Sequence, residues 1–178
     1  MIIWPLPKIE MGVWMPLLGS GVGVTFTPGD TLKRVLRNRL MIRREYLEQR
    51  IQTILVNSRA IDDPGRVYPA HGDVVALSAA MPGLVGTTLK RGSHLAAMRR
   101  EITLNSLNRT QKDPPAGIIT LKLFNMVAAE LGPRILTGRI MLKREDLRYL
   151  RLHCRTLSLP EAEAGPDDWI EIHLPNPD

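Results

Sequence analysis

The chain has a single cysteine, Cys154, so no disulfide can form within it. That fits a reducing compartment, and a cytoplasmic location is expected. Aromatic residues are scarce at 4%, which leaves Leu, Ile, Val and Met to fill most of any core. No stretch approaches the roughly 18 consecutive apolar residues of a membrane span. The N-terminus, Met1-Ile2-Ile3-Trp4-Pro5-Leu6-Pro7-Lys8, has no basic region ahead of its apolar residues, so a signal peptide is not expected. There is no Gly-x-Ser-x-Gly elbow, no Walker loop and no Cys-x-x-Cys pair. No two of His71, His94, His153 and His173 are spaced to meet on one helix face. No catalytic set, cofactor site or metal site is therefore expected, and the chain reads as a non-enzyme.

Charge is plentiful, and it is uneven. The net charge is +6. Residues 1–110 hold 15 Lys/Arg against 8 Asp/Glu, a net of +7, and residues 111–178 hold 9 against 10, a net of −1. Arg outnumbers Lys by 18 to 6, and Arg suits bidentate contacts with carboxylate and phosphate. Most of the net excess gathers on one segment. Leu32, Val35, Leu36, Leu40 and Leu47 recur at helical spacing, so residues 31–50 read as an amphipathic helix capped by Asp30 or Thr31. Lys33, Arg34, Arg37, Arg39, Arg43, Arg44 and Arg50 crowd it, opposed only by Glu45 and Glu48. A solvated helix face explains such a stripe without any ligand. As a functional feature, Arg34, Arg37 and Arg44 would be expected to form a docking face for a protein with an acidic surface. Nucleic acid is a weaker candidate, since Tyr46 is the only aromatic residue at hand for stacking on bases. A homo-oligomer is also open.

Around that helix the expected elements alternate. Residues 1–18, cut by Pro5, Pro7 and Pro16, read as an edge strand. Gly19-Ser20-Gly21 reads as a hairpin turn into the strand Val22–Thr27, where Val22, Val24 and Phe26 alternate with smaller residues. The spacing fails the dinucleotide pattern, with Val24 where a third glycine belongs. After the helix come a strand at Thr53–Val56, a polar loop with Asp62-Asp63-Pro64-Gly65, a turn at His71-Gly72-Asp73 and a strand at Val74–Leu77. Turn formation accounts for Asp62, Asp63 and Asp73 without a cation. Leu84–Arg91 reads as a further strand and Asn105–Ala116, with Pro114-Pro115, as a linker. Gly117–Phe124 is strand-like. Asn125–Leu136 is helical, with Pro133 expected to end it near Leu131. Arg144–Leu152 is a second short helix, Leu159–Asp168 a loop and Trp169–Leu174 a final strand. The expected division is residues 1–111 and a small extension or second domain, 112–178. The fold class is α+β.

Hairpin, capped helix, strand, Gly-Asp turn and strand, with Val56-Asn57-Ser58 and His71-Gly72-Asp73-Val74-Val75-Ala76-Leu77, resemble the ubiquitin-like β-grasp. In detail they are similar to the sulfur-carrier proteins of thiamin and molybdopterin biosynthesis, over roughly residues 1–86. The resemblance implies a grasp fold. Carrier chemistry would need a free Gly-Gly tail, whose terminal carboxylate is adenylated and then thiolated. Here Met81-Pro82-Gly83-Leu84-Val85-Gly86 stands in that place and 92 residues follow it. The expected function is thus a non-catalytic β-grasp interaction module. A divergent sulfur-carrier-like protein in cofactor biosynthesis and a weak nucleic-acid binder are the alternatives. Cys154 has no neighbour at a spacing that would activate it, so it reads as a structural thiol.

Overall fold

Alternation at Val22, Val24 and Phe26 makes β1 (Val22–Phe26), whose apolar side chains are all buried. A computed structural model of the chain describes residues 11–79, 83–95, 116–153 and 169–173. Ahead of β1, residues expected to form an edge strand are instead α1 (Met11–Ser20), while residues 1–10 lie outside the described part. An unbroken apolar run can bury itself as a helix as readily as a strand. Here Trp14, Leu17 and Leu18 are buried, and their packing outweighs the backbone bond lost at Pro16. Gly21, at φ +121°, ends the helix with its N–H on the Leu17 carbonyl.

Thr31 caps the next helix through its hydroxyl, which accepts from the Arg34 N–H. This helix is not continuous over 31–50. α2 (Leu32–Arg34) passes into a π-helical turn, Val35–Arg39, and α3 (Arg44–Gln49) follows a break. The Leu40 N–H reaches back to the Val35 carbonyl, and Met41 takes φ 54°. Across the break, Ile42 stays buried with the stripe Leu32, Val35, Leu36, Leu40 and Leu47.

β2 (Thr53–Val56) and the short β3 (Arg59–Ala60) form a hairpin whose turn residues Asn57 and Ser58 both have positive φ. A single 3₁₀ turn, Pro64–Arg66, leads toward β4 (Val74–Ser78). The expected strand at Leu84–Arg91 is a helix, α4 (Gly83–Leu89). No place beside β4 remains for a strand, because β2 and β5 (Gly117–Phe124) flank it. α5 (Asn125–Leu136) runs past Pro133 rather than ending near Leu131, since Ile135 and Leu136 are buried by continuing it. β6 (Arg139–Leu142), α6 (Arg144–His153) and β7 (Ile170–His173) complete the chain's described elements. The Asp146 carboxylate starts α6 by accepting from the Lys143 N–H at 2.9 Å.

All the described strands form one mixed sheet of seven, in the order β3-β2-β4-β5-β1-β6-β7. The expected hairpin partner of β1 is therefore replaced. β5 pairs antiparallel with β1, from Val22↔Leu121 to Phe26↔Gly117, and parallel with β4, from Val74↔Thr120 to Ser78↔Phe124. The segments on either side of residues 111/112 share this sheet and one continuous core. The protein is thus mixed α and β. The linker expected at 105–116, apart from Ala116, and the loop at 159–168 lie outside the described residues.

Candidate functional site

The π-helical turn sets the geometry of the basic segment. Arg34 ends α2, Arg37 lies within the turn, and Arg44 opens α3 beyond the break. All three are exposed, with 66% of the Arg34 side chain and 64% of the Arg44 side chain in solvent. Arg34 pairs with Asp30 at 3.3 Å and Arg44 with Glu48 at 2.9 Å, each one turn away on its own segment. Arg37 has no ion pair among the described residues.

Arg50 behaves differently. Its guanidinium meets Glu130 of α5 in a two-pronged ion pair, and the Tyr46 hydroxyl donates to the same carboxylate at 2.6 Å. The Arg50 and Tyr46 hydrogen bonds hold the Glu130 carboxyl below the usual range. Partial burial, with help from Glu130, pushes the Tyr46 hydroxyl well above its usual value. One end of the basic segment is therefore a seam against α5, and the other end faces water.

Between the end of β1 and the π-helical turn lies an open cleft of about 320 Å³. Phe26 and Val35 give it apolar lining; Thr25, Thr27, Asp30, Arg34, Asn38 and Arg39 give it polar groups. Arg39 crosses to β1, donating through Nε to the Thr25 carbonyl at 3.3 Å and through Nη2 to the Thr25 hydroxyl at 2.9 Å. Sequence reasoning missed this cleft and Arg39's part in it. Nothing in a regular helical pattern signals a π turn, which is what brings Asn38 and Arg39 to the cleft.

The residues behind the grasp-like motif hold each other. Asn57 donates its amide to Asp73 Oδ1 at 2.8 Å, and its side-chain oxygen accepts from the Val74 N–H at 2.9 Å. The second Asp73 oxygen accepts from the buried Ala70 N–H at 2.8 Å. The Asp63 carboxylate likewise accepts from the Gly65 N–H at 2.8 Å. These carboxylates serve turns, as expected from Asp-Asp-Pro-Gly and Gly-Asp. His71 Nδ1 accepts from the Ile118 N–H, and His153 stacks on Tyr149. Among the described residues no group of three His, Cys, Asp or Glu side chains is placed to hold a metal ion. Cys154 lies outside them. Gly83 and Gly86, where a carrier tail would start, belong to α4; Gly86 is buried and its carbonyl accepts from the Lys90 N–H.

No family model, no curated protein and no solved structure matches this chain. Its chemistry must be read from its own residues. Arg91 is the strongest side chain that the sequence pattern did not flag. Half-buried, it donates to the carbonyls of Leu47, Ile51 and Asp62 and so closes the end of α3. Burial lowers its pKa from the usual arginine value. Its work is structural, tying the segment after α4 to α3. No helix among the described residues is long and apolar enough to cross a membrane.

Proposed function

We propose that the chain is a non-catalytic docking module on a β-grasp-like sheet, and that its partner is a protein with an acidic surface. The observation that carries this reading is the contrast within one basic segment. Arg50 is taken up by Glu130, whereas Arg34, Arg37 and Arg44 stay exposed, Arg34 on the lining of an open cleft. Charges of one sign on a rim steer an oppositely charged partner and raise its association rate. Protein suits the face better than nucleic acid, because Tyr46, the aromatic of that segment, is tied to Glu130.

The grasp-like part of the proposal is supported by β1, α2–α3, β2, β3 and β4, which follow the order of the β-grasp after its first strand. β5 takes the missing place: antiparallel to β1, parallel to β4, but supplied by residues later in the chain. The helical state of Gly83–Leu89 favours docking over tail chemistry, which needs a slim free end.

Capture from nuclease-treated lysate of the native cell tests the function. Wild type should retain a protein that high salt releases, and Arg37→Glu should fail to retain it. Capture that survives high salt and Arg37→Glu contradicts an acidic partner on this face. Capture that disappears with nuclease favours nucleic acid.

A further inference from the structure

The cleft beside β1 has features that a merely solvated helix face lacks. Pairing of β6 with β1 is limited to Gly23↔Met141, so the ladder on that side stops short of Thr25. Among the described residues the Thr25 carbonyl is met by the Arg39 side chain rather than by a strand. The Thr25 carbonyl is taken by Arg39 and the Thr27 carbonyl accepts from the Asp30 N–H, so this stretch of β1 is guarded against an added strand, a cationic side chain being a common guard. The guard here also carries charge of the right kind. A guanidinium is a fork of N–H donors that fits a carboxylate, and Thr25 uses only the Nε and Nη2 groups of Arg39. Arg34 and Arg39 against Asp30 leave the cleft lining with a net of +1. Asn38 adds an amide that can both donate and accept, as a peptide backbone requires. Phe26 and Val35, buried in the core, border the cleft from beneath.

We propose that this cleft is the anchoring slot of the docking face: it receives an extended acidic peptide segment of the partner, with a carboxylate held by Arg34 and Arg39 and the peptide backbone meeting the Asn38 amide. This rests on the docking reading and adds to it a place, a ligand chemistry and a binding mode. Arg39, absent from the exposed trio read from sequence, becomes a principal contact. Arg37 and Arg44 then act at a distance, through association.

Backbone amide spectra of the full chain test the slot. The probes are capped tetraglutamate, capped tetraglutamine and inorganic phosphate, each titrated at low salt. Tetraglutamate should move the amides of residues 25–27 and 34–39, and tetraglutamine should not. Arg39→Ala should weaken tetraglutamate binding roughly tenfold, the scale of one charge-assisted hydrogen bond. If that variant loses its native spectrum, Asn38→Ala and Arg34→Gln take its place with the same expected direction. Equal shifts with phosphate would overturn the peptide slot in favour of a plain anion site. Tetraglutamate shifts confined to residues around Arg37 and Arg44 would overturn the slot but leave the docking face standing. Tetraglutamate that moves neither region would overturn both.

Discussion

Replacing Asp73 with Ala should cost far more than its position in a surface turn suggests. Asp73 is 4% exposed. Its Oδ2 is the acceptor for the buried Ala70 N–H, and its Oδ1 the acceptor for the Asn57 amide. Removing the carboxylate leaves the Ala70 N–H without its acceptor in a buried turn, at roughly 1–3 kcal/mol. It also frees Asn57, which holds φ 49° and ties the β2–β3 turn to the Val74 N–H. Losing that brace adds about 1 kcal/mol. Together they predict a loss of about 2–4 kcal/mol, a large part of a typical domain's stability. Urea unfolding followed by far-ultraviolet circular dichroism should show a lower midpoint with an unchanged slope. Asn57→Ala should be milder, and the double variant should lose less than the sum of the two, because the pair shares one network. A loss under about 0.5 kcal/mol for Asp73→Ala, the range of ordinary surface substitutions, would refute the clasp.

Three further outcomes follow from the same packing. Leu36 is fully buried, so Leu36→Ala should lower stability by about 2–5 kcal/mol in the same urea assay. Arg91→Ala, which strips three backbone carbonyls of a charged donor, should lose about 2 kcal/mol, and Arg91→Lys should recover little because an ammonium lacks the fork. Glu130 is depressed in the folded state, so its contribution is complete above the unfolded carboxyl value of about 4.3 and is lost as pH falls through the lower folded value. Urea midpoints followed downward from pH 6 should therefore fall less steeply for Glu130→Gln than for wild type, and identical curves would contradict the seam.

The strands were legible wherever alternation or a bounded apolar run gave a period. β1, β2, β4 and β5 lie within a residue of the expected Val22–Thr27, Thr53–Val56, Val74–Leu77 and Gly117–Phe124. Which strand lies beside which was not legible, because pairing across 91 residues, as in Phe26↔Gly117, leaves no local mark. Gly117 shows the cost of that in reverse. A Cβ there would clash with the Phe26 ring, so this glycine is a packing requirement. Proline misled twice. At Pro16 and Pro133 burial of the flanking side chains outweighs one missing N–H, and the helices run on. Arg34, Arg37 and Arg44 are exposed as the charge pattern implied. The tie from Arg50 and Tyr46 to Glu130, and the Arg39 crossing to Thr25, depend on tertiary contacts across different elements and have no sequence signature.

Association kinetics between the chain and the protein it captures test the central claim most directly. The rate constant for association should fall as ionic strength rises, and Arg37→Glu should lower it further while leaving dissociation nearly unchanged. An association rate that is the same for wild type and Arg37→Glu at low salt would contradict an electrostatic docking face on this segment.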